Sequence, residues 1–515
     1  MYLTQGLHRA VQQHPDDVMT VFGDRTRTFA EVADRVGRLA AALQGLGVGS
    51  GDRVAMLSLN SDRFGEYLLA VPWADAVLNP VNIRWSPAEI AYSLQDSDTG
   101  VLLVDDTFAP MLPALREAAP GLRTVIHAGD GPTPDGAESY EDLIAGHDPV
   151  PDARRGGDAL AGLFYTGGTT GHPKGVMLSH ANLMVSALGI LSTGYLFGSG
   201  TRCLHAAPMF HLADMAAWNA TTAAGGAHVI VPAFEPVAVM NAIATHGATD
   251  SLLVPVMIQM LIDHPQIAEH DLTSLRAVLY GASPIAQSVL ERAMKAFPNA
   301  DFTQAYGMTE LSPVATLLSP DDHRRGDRLR SAGRAAPHSE VLVVDAEDDE
   351  VPRGTVGEIV ALGGHVMLGY WNQPEATAAA VRDGWMHTGD GGYMDDDGYV
   401  FVVDRIKDMI VSGGENVYSA EVENALATHP AVASCAVIGV PDDQWGERVH
   451  AVVVLRADQT VTAEELREHA KTRIAGYKAP RSAEFVDALP VSAAGKILKR
   501  ELRAAHWSEG DREVH

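Results

Sequence analysis

The chain has 515 residues and a mass of 54.8 kDa, more than one ordinary hydrophobic core holds, so two or more domains are expected. Its formal charge of −28 repels polyanions, which excludes nucleic acid and anionic lipid as bulk partners but leaves room for a local basic pocket. Two cysteines, Cys203 and Cys435, make neither a disulfide framework nor a thiolate metal site and read as buried and inert. The N-terminal stretch has no signal-peptide apolar core, and no apolar run reaches the roughly 18–20 residues that span a bilayer, so a cytoplasmic protein without a transmembrane segment is expected.

Along the chain, Thr28-Phe29-Ala30-Glu31 has the spacing of a capping box, and the helical apolar pattern after it ends in Gly. Ser86-Pro87-Ala88-Glu89 repeats the signature with Pro at the first helical position. Val101–Val104 reads as a buried strand, as do "HVIVP" (228–232), "SLLVP" (251–255) and "RAVLYG" (276–281). Strands alternating with helices predict an α/β layered fold. Near residue 340 the texture turns β-rich, with "EVLVVD", "GEIVALG" and "GYVFVVD". A self-contained segment follows Asp404-Arg405. It has a helix after Ser419, strands "SCAVIGV" and "HAVVVL", and a helix after the capping box Thr462-Ala463-Glu464-Glu465. A boundary at about 404 separates 1–403 from 404–515, and the charged tail beyond about 505 is expected to fray.

The stretch "YTGGTTGHPKGV" (165–176) carries Gly, Thr and one Lys, the composition of a phosphate loop. It fits neither the Walker nor the dinucleotide fingerprint. Pro173 and Gly175 flank Lys174 where a Walker loop needs Gly-Lys-Ser/Thr, and G-x-G-x-x-G is absent. On Gly and Thr alone, a plain Gly-rich turn is an even alternative.

The wider set of motifs decides. "YTGGTTGHPKG" resembles the phosphate loop of the adenylate-forming superfamily of acyl-CoA synthetases, luciferases and peptide-synthetase adenylation domains. Six more signatures of that family follow in order: "PMFH" (208–211), "YGASP" (280–284), "QAYGMTE" (304–310), "WMHTGD" (385–390), "DRIKDMIVSGGENVY" (404–418) and "AAGKILKR" (493–500). The resemblance covers nearly the whole chain. It implies a large N-terminal AMP-binding region of two layered sheets plus a distorted β-barrel, and a small mobile α+β C-terminal domain hinged at Asp404. It implies ATP, Mg²⁺ and CoA, with no flavin, NAD, haem or zinc. A homodimer stays open, since many relatives are dimers and nothing in the sequence marks an interface.

The chemistry such enzymes perform needs cations and N–H donors. Carboxylate and triphosphate crowd negative charge in the transition state. The resemblance gives Thr166, Gly167, Gly168, Thr169, Thr170, Gly171 and Lys174 to the phosphates, and Gly281, Ala282, Ser283, Gln304, Ala305, Tyr306 and Gly307 to the nucleotide, with Tyr306 against adenine. Thr309 would touch the α-phosphate and Glu310 would hold Mg²⁺. Asp390 would grip the ribose diol, with Arg405 nearby. Lys496 would bridge carboxylate and ATP during adenylation. Because Lys496 lies far along the chain from the loop, a domain motion must deliver it, and a second pose would form the thioester. Lys499-Arg500 beside it reads as a solvated face. Ser412, Gly413, Gly414 and Glu415 resemble the loop lining the pantetheine tunnel. The loop departs from the usual T-S-G-T-T-G at Gly168, which replaces one hydroxyl by hydrogen and weakens one contact by about 1 kcal/mol.

The acyl pocket is the least determined part. His211 resembles the residue at its mouth, followed by Leu212, Ala213 and Met215, with Val256 among the apolar neighbours. Asp214 reads as a surface or helix-capping residue. A small Ala213, where aryl-acid ligases often carry an aromatic, predicts a medium- to long-chain fatty acid. An aryl or cinnamate-type acid is the alternative, as is a non-CoA acceptor in an amide synthetase or a carrier-loading enzyme. No carrier-like segment follows residue 505. A luciferase-type monooxygenase is less common among such chains. A serine hydrolase at Ser283 fails because Ile285 stands where the nucleophile elbow needs Gly, and His205 and His211 lack the spacing of a zinc protease.

Overall fold

All three capping boxes form. The Thr28 hydroxyl accepts from Glu31 N–H while the Glu31 carboxylate accepts from Thr28 N–H, and Ser86/Glu89 and Thr462/Glu465 repeat the exchange. Each satisfies two backbone donors that a helix start otherwise leaves open. The computed structural model describes residues 1–515 except 167–172, 284, 406–407, 413–414, 443, 492–496 and 508–515, and leaves out the side chains of Arg405, Val411, Glu415 and Asn416. Among the described residues no helix is long and apolar enough to cross a membrane.

Two large sheets dominate the first 370 residues. One has nine strands. At its centre the parallel strands Ala227–Ile230, Arg202–His205, Asp250–Leu253, Ala277–Gly281 and Asp301–Tyr306 lie side by side in that order. After Arg202–His205 the chain crosses to one neighbour through the helix Leu212–Ala224. It then returns through Pro236–His246 to the other neighbour. Strand order therefore reverses between Arg202–His205 and Asp250–Leu253. In open α/β sheets, ligands bind outside the carboxyl ends of the strands at such a reversal.

The other sheet has eight strands and a reversal of its own between Arg53–Leu57 and Val101–Val104. A cavity of about 150 Å³ opens there, lined by Asn60, Arg63, Asp105 and Asp130 among others. Its two arginines are already paired, Arg25 with Asp62 and Asp130, and Arg63 with Asp130 and Glu141. Farther along this sheet, Leu160–Thr166 and Lys174–Ser179 form an antiparallel pair, with Thr166 opposite Lys174. The loop 167–172 joins them and lies outside the described residues. The short strand Gly369–Tyr370 adds to the far side of Lys174–Ser179.

A five-stranded sheet follows, in which Trp385–Met394 is central and Asp390 lies opposite Arg405 of Val400–Arg405. The last sheet is built from Ile410–Ser412, Glu415–Val417, Val432–Asp442, Gly446–Leu455 and Ser482–Phe485. Among the described residues, its apolar core draws on residues between Ile410 and Ala483. The strands expected at 434–440 and 450–455 are its longest pair. Lys499 departs from the expected solvated face. It opens the helix Lys499–Ala504, its side chain is 14% exposed, and its ammonium pairs with Glu423 at 2.8 Å. Burial raises Glu423 and opposes the charge on Lys499, yet Glu423 and Asp404 raise Lys499, so the two charges hold each other. The tail is anchored as far as Trp507, whose indole N–H donates to the Gly439 carbonyl at 3.0 Å. Of the tail expected to fray beyond about 505, His506 and Trp507 are thus packed, and 508–515 lie outside the described residues.

Candidate active site

The carboxyl edge of the nine-stranded sheet gathers many of the residues singled out from sequence. Past Arg202–His205 comes His211, past Asp250–Leu253 comes Val256, past Ala277–Gly281 come Ala282 and Ser283, and past Asp301–Tyr306 come Gly307, Thr309 and Glu310. Two glycines there are set by packing. A Cβ on Gly281 would lie 2.2 Å from the Ala305 carbonyl oxygen of the next strand, and one on Gly307 would lie 2.0 Å from that of Pro313. Both places need Gly whether or not a phosphate comes near. Ala282 takes φ +66°, a left-handed conformation costly for a residue with a Cβ and typical of strained loops at functional edges.

Two pairs of contacts organise the edge. In the first, the Tyr306 hydroxyl donates to Asp390 Oδ2 at 2.8 Å, and the Thr388 hydroxyl accepts from Asp390 N–H. Asp390 is 9% exposed. An aromatic face and a carboxylate are thus fixed together, one suited to a base and the other to a diol. In the second, the Tyr370 hydroxyl donates to Glu310 Oε1 at 2.9 Å, while Lys174 Nζ sits 4.8 Å from the centre of the Tyr370 ring. Tyr370 joins a cation from the phosphate-loop hairpin to a buried carboxylate on the other sheet. It was not foreseen, because its role depends on two residues distant in sequence. The short helix Thr309–Leu311 that carries Glu310 is tied down where Met367 N–H donates to the Glu310 carbonyl at 2.9 Å. A carboxylate with one oxygen committed to Tyr370 still offers hard oxygen lone pairs, the donor type Mg²⁺ prefers alongside phosphate oxygens, so the residue fits that ion.

The helix Leu212–Ala224 is held by a buried polar chain. His205 Nδ1 contacts Asp214 Oδ2 at 2.8 Å, His205 Nε2 contacts His228 Nδ1 at 2.9 Å, and His228 Nε2 reaches the Thr222 hydroxyl at 3.1 Å. Trp218 stacks on His228 with centroids 3.8 Å apart. Asp214 is therefore not the surface or capping residue expected from sequence. It is 1% exposed, and His205, also fully buried, is its partner. Burial disfavours a charged His205, but the neighbouring Asp214 carboxylate overrides it and pushes the imidazole up to about 10. Burial and that cation together hold His228 well below its usual value. A doubly protonated His205 then donates to both Asp214 and His228, and neutral His228 donates onward to Thr222. Cys203 lies beside this chain, and both cysteines are buried and free.

Of the acyl-pocket set, Leu212 and Met215 are buried, His211 and Ala213 half-buried, and Val256 is 49% exposed, so Val256 is not packed with the rest. Gln304, Ala305 and Thr166 are half-buried on their strands, as is Ser283 in its loop. Asp404 accepts from both the N–H and the hydroxyl of Ser419 at 2.5 Å, capping the first helix of the C-terminal module. Ser412 lies opposite Glu415 in a hairpin, and its buried hydroxyl has no hydrogen-bond partner among the described residues. Gly167–Gly171, Gly413, Gly414 and Lys496 lie outside the described residues.

The sequence model of the AMP-binding enzyme family matches residues 7–371, and that of the AMP-binding enzyme C-terminal domain matches 421–496. The chain belongs to the AMP-binding enzyme family, the adenylate-forming superfamily expected from its motifs. A feruloyl-CoA synthase of an Amycolatopsis species is 41% identical over 96% of this chain and 97% of its own length. The fatty acid–[acyl-carrier-protein] ligase ScoC of Streptomyces coeruleorubidus is 37% identical over 98% and 96%. Among solved structures, the amide bond synthetase McbA from Marinactinospora thermotolerans superposes with a TM-score of 0.88 at 31% identity, covering 98% of this chain and 99% of that one. The mixed α/β fold with a large N-terminal and a small C-terminal part is thereby shown.

Proposed function

We propose that this AMP-binding enzyme is an ATP-dependent acid–CoA ligase with its hinge at Asp404, dividing 1–403 from 404–515. An acid oxygen attacks the α-phosphorus of ATP. The new O–P bond forms as the bond to pyrophosphate breaks, and pyrophosphate leaves with the electron pair. The thiol of CoA then attacks the acyl carbon, AMP departs with the C–O electron pair, and the thiol proton passes to solvent.

The observation that carries this reading is that Tyr306, at the carboxyl end of its strand, holds Asp390, while Glu310, four residues on, is held by Tyr370 beside Lys174. Tyr306 lies against adenine, Asp390 accepts from the ribose hydroxyls with Arg405 close by, and Thr166 through Gly171 with Lys174 hold the phosphates. Thr309 hydrogen-bonds the α-phosphate. Mg²⁺ bound at Glu310 would neutralise charge on the phosphate oxygens. Lys496 adds a cation during adenylation, and Ser412 through Glu415 line the thiol's path in the second pose. CoA as acceptor is supported by "SGGENVY" with "GYKAP" (476–480) and by the feruloyl-CoA synthase relative.

For the acid, the small Ala213 beside buried Leu212 and Met215 supports a medium- to long-chain fatty acid. The 41% identity to a feruloyl-CoA synthase favours a hydroxycinnamate as the second reading. The test is kcat/KM for octanoate and palmitate against ferulate, 4-coumarate and acetate. The fatty-acid reading expects octanoate or palmitate to lead, and a lead of about tenfold for ferulate or acetate overturns it.

A further inference from the structure

On the C-terminal module, apart from the residues assigned above, two imidazoles and a carboxylate converge. His450 comes from the strand Gly446–Leu455, Glu484 from the strand Ser482–Phe485, and His506 from the end of the helix Lys499–Ala504. One ligand-capable atom of each lies within 4.8 Å of the others. Glu484 Oε2 stands 3.9 Å from Nε2 of both histidines, too far for a hydrogen bond to either. Nε2 of His450 and of His506 are buried and have no hydrogen-bond partner among the described residues. The His450 side chain is only 7% exposed. Its other ring nitrogen is occupied, with Nδ1 2.7 Å from the Ser482 hydroxyl. We propose that His450, Glu484 and His506 form a binding site for a divalent transition-metal ion of the zinc class.

The geometry suits the ion. Tetrahedral zinc with bonds near 2.0–2.1 Å sets its ligands about 3.3 Å apart. The two separations of 3.9 Å close with shifts of about half an ångström, which Glu484, its side chain 41% exposed, can supply, and the two imidazoles, whose ligand atoms lie within 4.8 Å, must close by up to about 1.5 Å. The Ser482 contact fixes the His450 ring so that Nε2 faces inward, the role of the outer partner of a metal-bound imidazole. Trp507, bonded to Gly439, holds the neighbouring His506 in place. Imidazole nitrogens select zinc-class ions over Mg²⁺, which demands oxygen ligands, so the Mg²⁺ of adenylation does not compete. A fourth position is left to water.

The segment between Glu484 and His506 contains Lys496. A metal held at both flanks staples that segment to the sheet. From sequence no zinc is expected, on the family resemblance and on the spacing of His205 and His211. This site escaped notice because its ligands come from three separate elements with no motif spacing.

The test uses the full-length protein stripped of metal and titrated with Zn²⁺ alone by calorimetry, with Mg²⁺ present throughout. About one equivalent should bind with Kd of about 1 µM or tighter. His450→Gln/His506→Gln should weaken that binding about 100-fold. Glu484→Gln, at an exposed position, should weaken it in the same direction and guards against misfolding of the double variant. Co²⁺ in place of Zn²⁺ should give the intense visible band of a tetrahedral ion in the wild type only. Amide exchange across 486–506 should slow on adding Zn²⁺ to the wild type and not to the variants. Absence of a one-equivalent phase, or equal Zn²⁺ affinity in wild type and both variants, overturns the site.

Discussion

Asp214→Asn isolates the buried His205–Asp214 pair. With His205 at about 10 in the fold and near 6.5 when unfolded, the raised value adds stability that is fully present below 6.5 and lost as pH climbs through about 10. That linkage is worth about 4 kcal/mol at pH 7 and roughly a third of that at pH 9. The first figure agrees with the ~3–5 kcal/mol typical of removing one partner of a buried ion pair. Asn keeps the shape but not the charge, so His205 becomes neutral. In urea unfolding followed by tryptophan fluorescence, the variant should be less stable by about 4 kcal/mol at pH 7, and the difference should shrink by more than half at pH 9. The pair also fixes the helix that begins after His211, so KM for the acid should rise more than KM for ATP. A stability difference that stays constant from pH 7 to 9, or falls below about 1 kcal/mol at pH 7, would refute the charged pair.

Tyr370→Phe keeps the ring under Lys174 but removes the hydroxyl donated to Glu310. Losing a hydrogen bond to a carboxylate costs about 1.5–3 kcal/mol, so kcat/KM for ATP should fall about 10- to 100-fold, read by pyrophosphate exchange over a Mg²⁺ series. Lys496→Ala should abolish acyl-adenylate formation yet spare thioester formation from supplied acyl-AMP, and equal loss in both single-turnover assays would contradict two poses. Gly414→Leu should do the converse, and unchanged CoA turnover would remove the tunnel assignment.

The parts of the structure written in short stretches of sequence were legible. The capping boxes at Thr28, Ser86 and Thr462 need only residues three apart, and the strands at 101–104, 277–281 and 434–440 announce themselves as apolar runs. The candidate site was legible through motifs, which bring Tyr306, Glu310 and Asp390 to one edge. What escaped was pairing across sequence distance. Asp214 looks like a surface acid until the strand with His205 is laid beside its helix, and Lys499 looks solvated until Glu423 is found under it. Tyr370 carries no motif of its own. Its place between Lys174 and Glu310 comes from the pairing of Gly369–Tyr370 with Lys174–Ser179. Neither composition nor periodicity encodes such contacts, because each depends on how sheets assembled from distant segments meet.

The most direct test of the central claim is AMP release by the purified protein with ATP and Mg²⁺, with and without CoA, on octanoate, palmitate, ferulate, 4-coumarate and acetate, with Lys496→Ala as control. The account predicts CoA-dependent AMP release on one class of acid, with matching acyl-CoA by mass spectrometry and none from the variant. Acid-dependent pyrophosphate exchange with no CoA-dependent turnover would contradict it and assign the adenylate to another acceptor.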